Sequence, residues 1–296
     1  MPDRRLALIA NPVAGGGRGR SALRAACAEL DRRAAPYRAL TTDSAAHAVG
    51  LAREAAGGGE TVVAVGGDGH VGSIAGVVRE TDAPLAVVPA GRGNDLARVL
   101  GIPTDPAVAA ALALDGEPRP IDVAEVDGSP FVGIASLGFD SEANRIANES
   151  RLRGNAVYLY AALRALASWR PARFEVTVDG ERHTFSGYTV AAANSKAYGG
   201  GMMLVPHAEL ADSRLDVLLV HGASKLRFLA MMPRVFRGTH VGASHAEFLV
   251  GEVVEVRADR PFAVYADGDR IGELPVTVRI GERQVRIIAP PARLPG

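Results

Sequence analysis

Two strand–loop–helix units follow one another within residues 62–100, and both loops are built on glycine. The first reads TVVAV-GGDG-HVGSIAGVV and the second LAVV-PAGRGND-LARVL. In each, a short apolar run of strand type stops at a glycine loop and passes into an apolar helical pattern. Gly66, Gly67 and Gly69 carry no Cβ, so backbone N–H groups can approach a ligand closely there. The helix that follows turns its free N–H groups and the positive end of its dipole toward the loop. Together these features make an anion site, most often for phosphate. Two such sites on neighbouring parallel strands point to a polyphosphate. Asp68 and Asp95 lie in the same loops, and a carboxylate beside phosphate is repulsive unless a cation separates them. The pair of loops therefore implies a nucleotide with Mg²⁺. For either loop alone, the structural alternative is a tight strand-to-helix turn with an N-cap Asp.

The stretch before these units extends the same alternation. Residues 5–10 (RLALIA) read as a first strand, ended by Asn11-Pro12. Gly15, Gly16, Gly17 and Gly19, with Arg18 and Arg20, form a loop that also fits a phosphate. It lacks the Gly-Lys-Ser/Thr ending of a Walker A loop. Ser21 reads as the N-cap of a helix to about Arg33. A strand over residues 38–42 and an Ala-rich helix over 44–56 follow. Alternation up to about Asp122 predicts a parallel sheet with helices on both faces, and ligands of such sheets bind at the carboxyl ends of the strands.

After Asp122 the pattern changes. Strands are expected at residues 123–126, 131–135, 174–178, 183–193, 215–220, 253–257, 262–266 and 276–280, with Asp179-Gly180 as a hairpin turn. One helix, 156–169, interrupts. This half reads as an antiparallel sandwich or open barrel. The expected domains are an α/β nucleotide-binding domain over 1–122 and a β-sandwich lipid or substrate domain over 123–296. The segment from about 284 fits either one.

Composition narrows the function. The 296 residues carry 33 Lys plus Arg against 33 Asp plus Glu, and this zero balance argues against nucleic acid as a partner. A single cysteine, Cys27, excludes an internal disulfide. With no signal peptide in the sequence, a reducing cytoplasm is the expectation. No apolar run reaches the length of a membrane span, so a lipid substrate would be met by peripheral contact with the membrane. The histidines show no zinc spacing. Gly67, Gly69 and Gly72 satisfy G-x-G-x-x-G, yet Asp68 would crowd a pyrophosphate and no acid closes the next strand to hold a ribose. A dehydrogenase site is disfavoured accordingly.

GGDG after an apolar strand, followed by PAGRGNDLAR, resembles the diacylglycerol kinase catalytic-domain family, which includes bacterial soluble lipid kinases and is related to sphingosine and ceramide kinases. The resemblance covers nearly the whole chain. It takes in the Asn11-Pro12 glycine loop, SLGFD ending at Asp140, ANSKAYGGGM, VPHAELADSRLDVLLV, Gly-Thr-His at Gly238 and YADGD at Tyr265. It implies a nucleotide-binding α/β domain, a β-sandwich domain and an active site between them. It also implies ATP-dependent, Mg²⁺-dependent phosphorylation of a lipid hydroxyl, with diacylglycerol or a related lipid as substrate. Carried onto this sequence, Asn11, Thr42, Gly66, Gly67, Asp68, Gly69, His70, Val71, Gly72, Gly91, Arg92, Gly93, Asn94 and Asp95 would hold the nucleotide. Asp68 and Asp269 would serve catalysis, Asp269 as general base. The backbone carbonyls of Glu209 and Arg214 and the side chain of Asp212 would hold a structural Mg²⁺. Apart from the resemblance, the helix over 156–169 is apolar enough to line a lipid site, as could Phe139 and Met202-Met203, with ordinary core packing the favoured alternative for each. A homodimer stays open.

Some positions depart from the family pattern. His70 and Arg92 stand where Thr is usual, Ser73 replaces a Glu, Asp269 is one methylene shorter than the usual Glu, and Ser213 replaces Gly. Two rival readings accompany the first: a catalytically silent member binding nucleotide or lipid, and a kinase of a soluble alcohol or of NAD.

Overall fold

The computed structural model describes residues 4–150 and 156–291. The chain divides into two compact units. One takes residues up to Val123 together with the stretch from Glu282; the other is Ala124–Gly281.

The first unit runs β1 (Leu6–Ala10), α1 (Ala14–Arg32), β2 (Tyr37–Thr41), α2 (Ala45–Gly57), β3 (Thr61–Gly66), α3 (Asp68–Val78), β4 (Leu85–Pro89), α4 (Asp95–Leu100), α5 (Pro106–Asp115) and β5 (Glu117–Ile121). Every residue of β1, β3 and β4 is buried. Strands of a parallel sheet are covered on both faces, which is why these runs are apolar throughout rather than alternating. Local chemistry starts the helices: Ser44 caps α2 by accepting from the His47 N–H, and Asp105 caps α5 with Pro106 at the first position. β1 pairs in parallel with both β2 and β3. The chain thus steps outward from β1 to β2, returns past β1 to β3, and continues to β4. That reversal puts a switch point between the carboxyl ends of β1 and β3, the place where open α/β sheets bind ligands.

Three local expectations are corrected in this unit. Ser21 is not an N-cap: it lies inside α1, and its hydroxyl donates to the Arg18 carbonyl. The start of α1 is interrupted by Gly15, Gly16 and Gly17 at φ of 58°, 76° and 100°, a left-handed run that only glycine adopts at little cost. β5 adds a strand that the sequence pattern hides, because EPRPI carries two prolines. It lies at the sheet edge, where a missing N–H costs no ladder bond.

The second unit contains β6 (Ala124–Val126), β7 (Ser129–Phe131), β8 (Ile134–Gly138), α6 (Phe139–Glu149), α7 (Ala156–Ser168), β9 (Ala172–Val178), β10 (Glu181–Ala193), β11 (Leu215–His221), α8 (Lys225–Phe236), β12 (Ala246–Gly251), β13 (Val253–Ala258), β14 (Ala263–Ala266), β15 (Asp269–Glu273) and β16 (Val276–Ile280). Its eleven described strands form one antiparallel sheet in which the long β10 pairs with β8, β9 and β11. One sheet face encloses an apolar core around Phe131, Phe174, Val176 and Val217. On another face, residues of α6, α7 and α8 complete a second core with Tyr188, Leu218 and Val220 of the sheet. The expected single helix is therefore corrected to three. α6 is hidden in sequence by its polar face, and α8 by the Pro233 inside it. The strand expected at 131–135 is two, broken between Phe131 and Ile134.

The last strand, β17 (Val285–Ala289), enters the first sheet between β4 and β5, parallel to the former and antiparallel to the latter. Among the described residues, no helix is long and apolar enough to cross a membrane.

Candidate functional site

The three glycine loops of the first unit follow β1, β3 and β4 and are fastened to one another. The Asn11 N–H donates to the Val65 carbonyl, and the Ala90 N–H to the Gly66 carbonyl. A Cβ on Gly15 would collide with the Ala90 carbonyl, one on Gly19 with the Asn11 carbonyl, and one on Gly91 with the Gly67 Cα. Glycine is thus required at Gly15 and Gly91 by the approach of one loop to the next, and at Gly19 by the fold of the first loop on itself. Arg18 links the first loop to the third: its Nε donates to the Gly15 carbonyl at 3.1 Å and its Nη2 to the Gly91 carbonyl at 2.5 Å. Asn94, at φ 52°, closes the third loop, its Oδ1 accepting from the Gly91 N–H at 2.7 Å and its Nδ2 donating back to the Gly91 carbonyl. Asn11 shapes the first loop in the same manner, its Oδ1 accepting from the Val13 N–H.

Asp68 opens α3, but its carboxylate reaches across to α4. Oδ2 accepts from the Asp95 N–H and Oδ1 from the Leu96 N–H, both at 3.1 Å. The anion at the start of α4 is therefore supplied by the protein itself. Burial, followed by the neighbouring Asp95 charge, pushes the Asp68 carboxyl up to about 6, against the pull of the two N–H groups. Two acids placed this close fit a shared cation, which would relieve their repulsion. The N–H groups of the first turn of α3, by contrast, have no helical acceptor and face the loop region. Val71 and Gly72 are buried in that helix.

Asp68 caps α4, and a substitution separates that contact from any part in the chemistry. Asp68→Asn keeps one acceptor oxygen and presents an NH₂ to the second N–H. It is expected to lower stability by about 1–2 kcal/mol and to reduce phosphoryl transfer far more steeply. A urea unfolding curve and an ADP-release assay on the same preparation check this; equal fractional losses would leave Asp68 a helix cap only.

His70 packs under the loop and against the end of β1. Its Nε2 lies 3.0 Å from the Ile9 carbonyl, and its ring packs where a Cβ on Gly66 would sit. Burial lowers its pKa, so the neutral ring donates to Ile9 and ties α3 to β1. Arg92 is exposed, with no partner among the described residues. The Thr42 hydroxyl, buried just past the carboxyl end of β2, donates to the Ala10 carbonyl.

The remaining site expectations fall in the second unit. Asp267 and Gly268, at φ 54° and 88°, make the turn between β14 and β15. Asp267 fixes that turn by accepting from the Val132 and Gly133 N–H groups at 2.9 Å. Asp269 is the first residue of β15; surrounding protein atoms raise its carboxyl although the residue stays solvent-exposed. Glu209, Asp212 and Arg214 are exposed, and Asp212 Oδ1 accepts from the Arg214 N–H. Among the described residues no three His, Cys, Asp or Glu side chains are gathered as a metal site. Burial raises the carboxyl of the nearby Asp216, with His207, 3.2 Å away, pulling the other way and Asp212 and Glu209 adding to the rise.

Between the helices and the sheet of this unit lies a narrow cavity of about 80 Å³. Phe139, Leu159, Ala162, Met202, Phe228 and Met232 are among its walls; Met203 is not. Asp140, to which the sequence pattern assigns no role, lines the cavity as well. Burial pushes its carboxyl up to about 6, with Tyr198 and Thr189 pulling the other way, and its Oδ2 has no hydrogen-bond partner among the described residues. A buried, half-satisfied acid in an apolar cavity is the mark of a ligand site. Asp140 follows Gly138, at φ 89°, at the start of α6, so in sequence it reads as an ordinary acid in a first helical turn.

Comparison with known proteins agrees with this architecture. Residues 5–126 match the diacylglycerol kinase catalytic domain. Residues 133–289 match the YegS C-terminal domain, described as NAD kinase β-sandwich-like. A diacylglycerol kinase of Mycobacterium tuberculosis is 32% identical over 291 residues, 95% of this chain and 94% of that protein. One of Bacillus subtilis is 29% identical over 241 residues, 78% of each. The crystal structure of a diacylglycerol kinase from Bacillus anthracis superposes with a TM-score of 0.75 at 21% identity, covering 99% of this chain and 98% of the other. With both units matched in order and a relative aligned along nearly its full length, the chain belongs to the diacylglycerol kinase family of phosphotransferases.

Proposed function

We propose that this chain transfers the γ-phosphoryl group of ATP, with Mg²⁺, to a hydroxyl of diacylglycerol or a related lipid. The observation that carries the reading is the packing of three glycine loops at the switch point between β1 and β3, with the first turn of α3 open and Arg18 held between the loops. Polyphosphate fits such a cradle because backbone N–H groups and one guanidinium neutralise charge without side chains intruding. Bound with the nucleotide, Mg²⁺ supplies charge neutralisation at the phosphates. Asp68 and Asp95 are the acids proposed to hold it. Asp269, with its raised carboxyl, is the group proposed to take the proton of the attacking hydroxyl. The acyl part of the substrate goes to the cavity, and Asp140 there meets a polar group of the lipid. His70, bonded to Ile9, acts on the loop rather than on phosphate, and the exposed Arg92 is the substituted position that remains free to reach one.

Calorimetric titration with ATP and magnesium, followed by ADP release over diacylglycerol, sphingoid bases, glycerol and NAD, tests the proposal. Binding below millimolar nucleotide and turnover with a product that extracts into organic solvent are expected. Binding without turnover would instead mark a silent member, and a water-soluble product a kinase of a soluble acceptor. Absence of nucleotide binding at millimolar concentration would end the reading.

A further inference from the structure

Asp269 stands on a lightly held element. Among the described strands β15 is the edge of its sheet, and β14, its neighbour, pairs with β8 only at Tyr265 and Ala266. A ladder this short leaves the pose of the hairpin to other contacts. One is the Asp267 carboxylate, which accepts from the Val132 and Gly133 N–H groups. The others come from α6. The buried Ser141 hydroxyl donates to the Ala263 carbonyl at 2.6 Å, where β14 begins. The Asn148 side-chain amide donates to the Gly268 carbonyl at 3.2 Å, in the turn where β14 ends. Seven helical positions put Ser141 and Asn148 about 10 Å apart along α6 and within about 20° of each other around it. One side of the helix therefore grips the hairpin at both ends of β14. The Gly268 carbonyl and the Asp269 N–H belong to one planar peptide, so fixing that carbonyl fixes the direction in which Asp269 leaves the backbone. Packing does not do this: a Cβ on Gly268 would meet nothing within 4 Å. The other end of the same helix walls the cavity with Asp140 and Asn144, and Asp140, Asn144 and Asn148 follow one another at the spacing of helical neighbours.

We infer that Asn148 is a positioning residue for phosphoryl transfer: through the Gly268 carbonyl it sets the pose of Asp269, with α6 as the strut between the cavity and the hairpin. The inference rests on the proposed role of Asp269 as the base. Asn148 touches neither phosphate nor hydroxyl. Its contribution is to hold a carboxylate on an edge strand within the narrow tolerance that proton transfer demands. A lipid chain entering the cavity packs against the same helix, so the element that receives the substrate is the element that steadies the base.

The test is a double-mutant cycle on the full chain with Asn148→Ala, Asp269→Asn and the pair together, read as ADP release with ATP, magnesium and a water-dispersed short-chain diacylglycerol. Asn148 is exposed and alanine is the better helix former, so the thermal melt of Asn148→Ala should not fall. Its kcat is expected to drop about ten- to a hundredfold, with KM for ATP and for the lipid within about twofold of the wild type. On the residual rate of Asp269→Asn the same substitution should cost less than about twofold, because the group it places is gone. Hydrogen exchange across residues 263–273 should be several-fold faster in Asn148→Ala. An unchanged kcat, unchanged exchange, or an equal fractional loss in both backgrounds overturns the inference, the last marking Asn148 as a structural contact only. A wild-type kcat in Asp269→Asn ends the base assignment instead, and exchange then still decides whether Asn148 holds the turn.

Discussion

Replacing Gly91 with valine is expected to abolish nucleotide binding and to lower the stability of the first unit by about 2–4 kcal/mol. A Cβ at this position runs into the Gly67 Cα and comes within 2.8 Å of Asn94 Oδ1. Both neighbours are constrained: Gly67 by the end of β3 and the start of α3, Asn94 by its two hydrogen bonds to Gly91. Relief requires the loop after β4 to lift away from the loop after β3, which also detaches the Arg18 guanidinium from the Gly91 carbonyl. A branched residue leaves no small displacement that suffices. Calorimetry with magnesium and ATP, run beside thermal unfolding, checks the result. Gly16→Ala is the control. Its Cβ meets nothing within 4 Å, although its φ of 76° still strains an L residue, so a modest loss of stability with binding retained is expected there.

Asp140→Asn is expected to make the chain more stable at neutral pH and to leave it unchanged in acid. The folded carboxyl holds its proton up to about 6 because burial disfavours the charge. In the unfolded chain it ionises near 4, as an ordinary aspartate does. A pKa raised by folding favours the native state while the proton is bound, and that contribution is lost as pH rises from about 4 to about 6. Above that window the wild type carries an unfavourable charge worth about 2–3 kcal/mol, which the amide removes. Urea unfolding at pH 4, 6 and 8 should show the variant gaining on the wild type across the interval and then holding a constant lead. A constant difference at all three values would show that Asp140 ionises normally. The stabilised variant should be the poorer lipid kinase, since a buried charge kept at a cost to stability implies a use for it.

Much of the first unit is legible in the sequence because its signals are local. Continuous apolar runs mark β1, β3 and β4, glycine marks the loops that follow, and Ser44 and Asp105 mark helix starts. What the sequence withholds depends on contacts distant in the chain. Nothing near Asp68 announces that its carboxylate caps α4, 27 positions away. His70 reads as a substituted phosphate contact until the Ile9 carbonyl is placed beside its ring. Asp140 reads as a first-turn acid until the walls of α7 and α8 close around it. In the second unit α6 and α8 escape the pattern for separate reasons: one has a polar face that looks like loop, the other contains Pro233. The Asp-Gly pair at 267–268 carries turn chemistry, and the residue making the turn is Asp267, which leaves Asp269 free of that duty.

The position of β17 bears on how the protein is made. The strand completing the first sheet is encoded after the whole of Ala124–Gly281. While the ribosome is still translating, β4 lacks the neighbour that separates it from β5, and an apolar edge waits uncovered. The inserted unit has all its strands before that happens, so it can finish first during synthesis. Expression of the amino-terminal segment alone should therefore give an aggregating product, and fusing the last strand directly after β5 through a short loop, with residues 124–281 left out, should rescue solubility.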